Sequence, residues 1–452
     1  MKLRVWGWTR QTSSDHASPT PSHTQFIISI KNMCDSTIAN GSSGFSSSPQ
    51  NPVSTQLANV QSTSKYRMKV STYSTDFFNT FQHGKADDVW DETTASGATV
   101  TWDPTMSSVN CLVTSTPGSK AIRQTKNVMR YIPGRPAEFS TAYFWGTPVS
   151  GIRKRIGQFD ENDGFFLEQD ATGEYYCVIR SSTTGSVVEN RVARSSWNGD
   201  KLYGSGPSGV ILNKNATQVI VADYEWYGAG AIKFSFVIGD NTVIIHTFYS
   251  ANILTTPWCS TPFIPMRVEI ENVSSGLGDS MFHFSQCHSS EGASDNLGTP
   301  VTISTPITGI NLTAANTFYP VLSIRLKSTN GGLHAVVVPQ TLQEGTLDNA
   351  FVFFKLVLNP TLTGANWTNH PTTASSVQYD TTSTAYTGGT ILEEGFAATG
   401  TNNILLLNRD QTGNFQLGRT TLGTVSDILT VVMAATNANK TAIAVLGWIE
   451  QR

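Results

Sequence analysis

The sequence predicts an all-β protein: an antiparallel β-sandwich of the jelly-roll or a related two-sheet type, with a smaller β-domain after it and an extended arm before it. Three observations predict this. Short runs rich in β-branched and aromatic residues recur along the chain, and Gly, Asn and Asp clusters separate them. Helix formers are nowhere gathered into long amphipathic stretches. Charged residues are only 14% of the 452, where about 25% is usual for soluble domains.

Residues 1–65 read as an arm for attachment or assembly. Ser, Thr, Pro, Asn and Gln dominate from Ser36 to Ser64, and the one apolar patch is Phe26-Ile27-Ile28-Ser29-Ile30. Such a segment buries too little surface to offset its own ordering entropy, so it needs a partner surface to become fixed.

Residues 66–290 read as the central sandwich. Runs with strand composition cover 98–102, 110–114, 139–144, 164–168, 175–179, 219–226, 232–237, 242–248 and 266–270. Turn signals fall between them at Asn162-Asp163-Gly164, Asn198-Gly199-Asp200, Gly228-Ala229-Gly230 and Gly239-Asp240-Asn241. In Ile232-Lys233-Phe234-Ser235-Phe236 the alternation sends Lys and Ser to one face and apolar groups to the other. A Gly/Ser/Asp-rich break over 288–300 places a linker at 291–300. Beyond it, runs at 318–326, 333–338, 350–358, 404–407, 427–434 and 442–449 form the C-terminal β-domain, 301–452. No fixed repeat period is present, which argues against a propeller or solenoid.

The net charge of −3 gives no broad footprint for nucleic acid. Arg153-Lys154-Arg155 is the one short basic run and reads as a solvated strand end. No stretch of about twenty apolar residues is present to insert into a membrane. Met1-Lys2-Leu3-Arg4 leads into polar residues rather than an apolar signal core. The five cysteines, Cys34, Cys111, Cys177, Cys259 and Cys287, are widely spaced and odd in number, as for free thiols in a reducing cytoplasm. A surface this poor in Lys and Glu resembles the centre of an interface, so the chain is expected to assemble with copies of itself.

Few residues carry a pattern of chemistry. Asp160-Glu161-Asn162-Asp163-Gly164 bunches oxygen ligands, but a β-turn uses the same residue types. His283, Cys287 and His288, with His246 elsewhere, do not complete a tetrahedral zinc set. Alternation in Phe282-His283-Phe284 puts His283 on a polar strand face. Asp223 and Glu225 share one strand face about 7 Å apart, the general separation that glycoside cleavage needs. An outward acidic face gives the same pattern, with Tyr224 and Trp226 turned to the core. No metal or other cofactor is expected. Trp197, Tyr203, Trp226, Tyr227 and Trp258 lie near turns and are the candidates for stacking on a glycan.

Several stretches occur together in order: Gln124-Thr125 to Arg130-Tyr131 with Pro133-Gly134, Arg155 to Asp160, and Asn162 to Phe166. Trp197-Asn198-Gly199-Asp200, Gly204 to Gly209, and Asp223 to Gly230 follow. Phe236 to Gly239, His246 to Asn252 and Pro265 to Ile270 complete the set. This succession resembles virion structural proteins of tailed phages, of the fibre, baseplate or capsid-surface kind. The resemblance covers residues 120–290 and, more weakly, 319–327. It implies a sandwich of the concanavalin or laminin-G type and supplies no catalytic residues. The function expected is therefore a non-enzymatic virion component, assembled in the host cytoplasm as a homo-oligomer, with a trimer as the guess from the habits of fibres. Its partners would be other virion proteins and a host-surface glycan. A glycan-binding adhesin is the first alternative, and a polysaccharide depolymerase using Asp223 and Glu225 is the second.

Overall fold

The computed structural model describes residues 73–451, apart from 275–276, 293–297, 329–333, 349, 398–402 and 407–414. The expected arm, residues 1–65, lies outside the described residues. The described chain is all-β and antiparallel, with a 3-10 turn at Arg194–Ser196.

Two sheets face each other in the first part. Among the described residues, one runs in the order β13 (Asn241–Phe248), β12 (Ile232–Ile238), β11 (Gln218–Tyr224), β6 (Ala137–Phe144) and β15 (Asp279–Glu291). It continues with β4 (Ser108–Val113) and β3 (Thr99–Asp103), while β1 (Tyr73–Thr80) also pairs with β15. The other sheet runs β10 (Val188–Ala193), β9 (Tyr175–Ser181), β8 (Gly164–Gln169), β7 (Ile152–Phe159), β14 (Met266–Asn272), β5 (Lys120–Thr125) and β2 (Trp90–Ala95). Strand period two makes the sandwich: Ala137, Phe139, Thr141 and Tyr143 of β6 turn inward, and the residues alternating with them are half-buried on the other face. Phe165 sits in the middle of the core, with ring centroids 4.9 Å from Tyr224, 5.9 Å from Phe234 and 6.2 Å from Trp258.

Further along, β16 (Thr299–Ser304), β28 (Lys440–Gln451), β19 (Val336–Thr346) and β26 (Asn403–Leu406) form one sheet, with β17 (Ile310–Leu312) also on β28. A second sheet orders β22 (Thr368–Asn369), β23 (Val377–Asp380), β18 (Tyr319–Leu326), β27 (Ile428–Ala435), β20 (Val352–Leu358) and β25 (Thr390–Ala397). A small ribbon pairs β21 (Thr361–Thr363) with β24 (Ala385–Thr387). Ile324, Val337, Leu356, Val431, Leu446 and Trp448 belong to a core of their own between these sheets.

This core is joined to the first sandwich. Val128 and Phe263 pack with Val336 and Val338. Gln416 Nε2 donates to the Val128 carbonyl at 2.9 Å, the Arg419 amide to that of Lys126 at 2.9 Å, and the Thr421 amide to Asp91 Oδ2 at 2.6 Å.

Three local expectations need correction. Arg153-Lys154-Arg155 is no solvated end: it lies inside β7, a strand with neighbours on both sides, and Lys154 points inward to Asp279 at 2.7 Å. His283 is fully buried in the core rather than on a polar face, 4.9 Å from the Phe81 ring and 5.5 Å from Trp90. Residues 288–291, read as part of a break, are the end of β15, where pairing with β1 and β6 overrides their turn-like composition.

Candidate functional site

The outer face of the seven-stranded sheet is where the chain gathers its charge. Inward positions on the central strands are mostly apolar: Cys177 and Ile179, Phe165 and Leu167, Ile156, Val268 and Ile270, Ala121, with Lys154, Gln158 and Arg123 as polar exceptions. The alternate positions therefore face away from the core. There Glu168 of β8 stands opposite Arg155 of β7, which stands opposite Glu269 of β14. A carboxylate–guanidinium–carboxylate row thus crosses three adjacent strands. The next row reads Val178, Phe166, Gly157, Arg267.

Gly157 and Gly164 let β7 and β8 meet closely. A Cβ at Gly157 would fall 2.3 Å from the Phe165 carbonyl oxygen and 2.6 Å from Phe166 Cα. One at Gly164 would fall 2.3 Å from the Gln158 carbonyl oxygen. Above that hairpin the Phe159 and Phe166 rings lie 4.4 Å apart. Three guanidiniums cover them: Arg155 is 5.1 Å from Phe166, Arg267 is 5.3 Å from Phe159, and Arg180 reaches both, at 5.4 Å and 5.1 Å. Arg191 lies 4.3 Å over the Tyr176 ring at the margin.

The carboxylates are tied into the same network. Arg155 Nε donates to Glu168 at 2.6 Å and its Nη1 to Glu269 at 3.3 Å. Arg267 Nη2 donates to Glu269 at 2.8 Å and Glu161 at 2.7 Å, and Arg180 Nη2 donates to Glu189 at 2.8 Å. Arg191 closes on Glu168, and Arg153 on Glu271. Burial alone would raise the Glu269 pKa, but Arg267, Arg155, Lys120 and Arg180 outweigh it and hold the carboxyl well below the usual range. Glu161 and Glu189 are lowered too: burial opposes, and Arg267 acts on the first, Arg155 and Arg180 on the second. The Arg155 pKa is raised, because three glutamates override its desolvation. Centre and rim differ in access. Glu168 and Arg267 side chains are fully buried, whereas Glu161 is 44% and Arg191 37% exposed. The face offers ionised acceptors and fixed donors side by side, and its rim is open to solvent.

The residues singled out from sequence are placed elsewhere. Trp197 and Trp258 are buried in the main core and present no ring face to solvent. The first follows the 3-10 turn and donates its Nε1 to the Val192 carbonyl at 3.1 Å. Trp226 is half-buried, its Nε1 on the Cys259 carbonyl at 3.2 Å. Tyr203 and Tyr227 are exposed, but on different loops; Arg194 lies 4.2 Å over the Tyr203 ring. Asp223 and Glu225 are both buried rather than on an outward acidic face, and Asp223 pairs with Lys233 at 3.2 Å. Asp160 Oδ1 accepts the amides of Asn162 and Asp163, which makes the acidic run a turn. His283 lies against Thr141, while His288 bridges Tyr224 at 3.0 Å and Asp76 at 3.2 Å. His246 lies 4.5 Å from the Phe248 ring, and among the described residues no three potential metal ligands converge. Cys111, Cys177 and Cys259 are buried and Cys287 half-buried, all as free thiols; Cys34 lies outside the described residues.

The charged face escaped sequence reading because its members come from strands far apart in the chain. A signal was present: in Met266-Arg267-Val268-Glu269-Ile270 the scarce charges alternate with apolar residues.

No family model matches the sequence, and no curated protein matches it. Among solved structures, the chain is similar to a glycosyl hydrolase family protein from Mycobacterium fortuitum at 7% identity, over 48% of this chain and 99% of that one, with a TM-score of 0.35. It is similar also to a β-glucanase from Bacillus licheniformis, at 11% identity over 48% and 98%, with a TM-score of 0.31. A β-1,3-glucanase from Mycobacterium marinum gives 9% identity over 48% and 98%, with a TM-score of 0.33. Values this low carry nothing about the chemistry of this chain. The β-sandwich rests on its own strand order.

Proposed function

We propose that this chain is a glycan-binding protein that acts without cleaving its ligand, in the manner of an adhesin on a particle surface. The observation that carries the reading is the solvent-open rim of the outer face of the seven-stranded sheet. A sugar hydroxyl both donates and accepts, and the rim sets the Glu161 carboxylate and the Arg191 guanidinium where hydroxyls can reach them. The buried Glu168 and Arg267 hold those two rim groups in place, Glu168 by pairing with Arg191 and Arg267 by donating to Glu161. Glycoside hydrolysis needs one carboxyl kept protonated near neutral pH. Glu269, Glu161 and Glu189 are all driven the other way, so none of these three is suited to that role. The resemblance to phage virion proteins supports placing such a binder on a virion.

The test is titration of the purified protein against neutral and acidic polysaccharides, by calorimetry or affinity electrophoresis. R191A and E161A, both at the exposed rim, are expected to weaken binding by at least tenfold while the melting temperature stays within a few degrees of the parent. A parent that binds none of the polysaccharides, or rim variants that bind as the parent does, would overturn the proposal.

A further inference from the structure

The six-stranded sheet carries a second, separate reading on its outer face. Ile324, Leu326 and Val377 turn into the core between the later sheets, so the residues alternating with them on β18 and β23 face outward. There Arg325 of β18 stands opposite Gln378 of β23, which stands opposite Asn369 of β22. Arg325 Nε donates to Gln378 Oε1 at 3.0 Å, and Gln378 Nε2 donates to Asn369 Oδ1 at 3.1 Å. The Arg325 guanidinium lies 4.2 Å from the ring of Trp367, the residue just before β22. Its plane is thus fixed twice, by an amide at one edge and an indole on one face. Arg325, Gln378 and Trp367 are half-buried and Asn369 is exposed, so the row is open to solvent.

The missing acid sets this arginine apart. On the seven-stranded sheet Arg155, Arg180, Arg191 and Arg267 all close on glutamates. Among the described residues Arg325 meets no carboxylate, and its Nη groups have no hydrogen-bond partner. Burial lowers its pKa and no acidic neighbour raises it. Lys327, two residues on, donates to the Ser375 carbonyl and likewise pairs with no carboxylate among the described residues. A half-buried guanidinium in this state has given up hydration without gaining a counter-ion. With Nε engaged and one face covered, the in-plane pair of Nη donors remains, and that fork matches a carboxylate bidentately. The amides of Gln378 and Asn369 beside it both donate and accept, as hydroxyls next to a carboxylate require. A uronic acid carries both kinds of group on one ring, whereas an acidic peptide offers carboxylates without adjacent hydroxyls.

We infer that the outer face of the six-stranded sheet binds a uronic acid residue of an acidic polysaccharide, with its carboxylate on the Nη groups of Arg325 and its hydroxyls on Gln378 and Asn369. Trp367 holds the guanidinium plane and is a positioning residue. The site shares no residue with the rim of the seven-stranded sheet, and its test is separate.

Calorimetric titration of the full chain with polygalacturonate and with alginate provides that test. The parent is expected to bind at least one of them, and R325Q to bind it at least tenfold more weakly with a melting temperature within a few degrees of the parent. R325K keeps the charge but not the fork, and is expected to lose at least fivefold. Methyl-esterified polygalacturonate, which lacks the free carboxylate, is expected to bind parent and R325Q alike. The R325Q loss is expected to recur in an R191A background, which separates this site from the rim. A parent that binds neither polyuronate would overturn the inference, and so would an R325Q that binds as the parent does. Poly-glutamate that binds the parent as tightly, and loses as much in R325Q, would assign the fork to acidic chains in general and remove the uronic acid.

Discussion

His283 shows how one side chain can write a pH dependence into the fold. Burial first, and then the nearby Arg123 charge, lower its pKa to about 3, while Gln286 opposes. An imidazole in the unfolded chain titrates at its ordinary value of 6.5. Because the folded value is the lower, the unfolded chain takes up the proton first. The stability from keeping His283 neutral is therefore complete above pH 6.5 and is lost as the pH falls from there toward 3. His246, lowered to about 4 by burial, acts in the same direction. Urea unfolding across this range is expected to show H283Q with a flatter dependence than the parent. The difference should approach about 1.4 kcal/mol per pH unit, the limit for one proton. Equal slopes would place the proton elsewhere. Sequence alone put His283 on the wrong face, because Phe282 and Phe284 flank it like an apolar row. In the fold, β15 shifts register between His283 and Ser285, and the neighbours that bury His283 are Phe81 and Trp90, about 200 positions away.

At the scale of elements, β7 and β8 hold the charged face together. Their close approach depends on Gly157, and G157A is expected to destabilise the protein by about 1–3 kcal/mol, because the added methyl must push against neighbouring backbone rather than a flexible side chain. Chemical denaturation measures this, and an unchanged midpoint would show that the hairpin can open at no cost. These two strands also mark the limit of sequence reading. Residues 164–168 were recognisable as a strand by composition, and Lys233 with Ser235 did fall on the face opposite Phe234 and Phe236. Arg153-Lys154-Arg155 was not recognisable, since three adjacent cations read as solvated when their partners are unknown. Those partners are Glu168, in the next strand, and Glu269 and Glu271, more than a hundred residues on. Composition reports which residues suit a pleated surface, whereas pairing order decides which charges meet.

For the molecule as a whole, the described residues fall within one compact unit that includes both the first sandwich and the later sheets. Asp91 of β2 takes part in the junction by accepting the amide of Thr421 and its hydroxyl. D91A leaves that amide without its acceptor and is expected to cost about 1–3 kcal/mol. Calorimetry of the parent should show one transition, with a low-temperature shoulder in D91A as the junction loosens. Two separate transitions already present in the parent would mean that the junction couples little. Acid is a second whole-molecule lever. Glu269, Glu161 and Glu189 have folded pKa values below their ordinary 4.5. Their ion pairs stabilise fully above that value and are lost as the pH falls through the depressed folded values.

The places of β14 and β15 carry a kinetic consequence. They are the last two strands of the first sandwich along the chain, yet β14 lies between β7 and β5 and β15 between β6 and β4. The seven-stranded sheet cannot close until a ribosome has delivered residue 272, nor the other sheet until residue 291. Until then β5 and β7, and likewise β4 and β6, wait with one side of their ladders open, which lengthens the search for native pairing and exposes the nascent chain to aggregation. Refolding of this protein is therefore expected to be slow and to depend steeply on concentration, even though its strands are short.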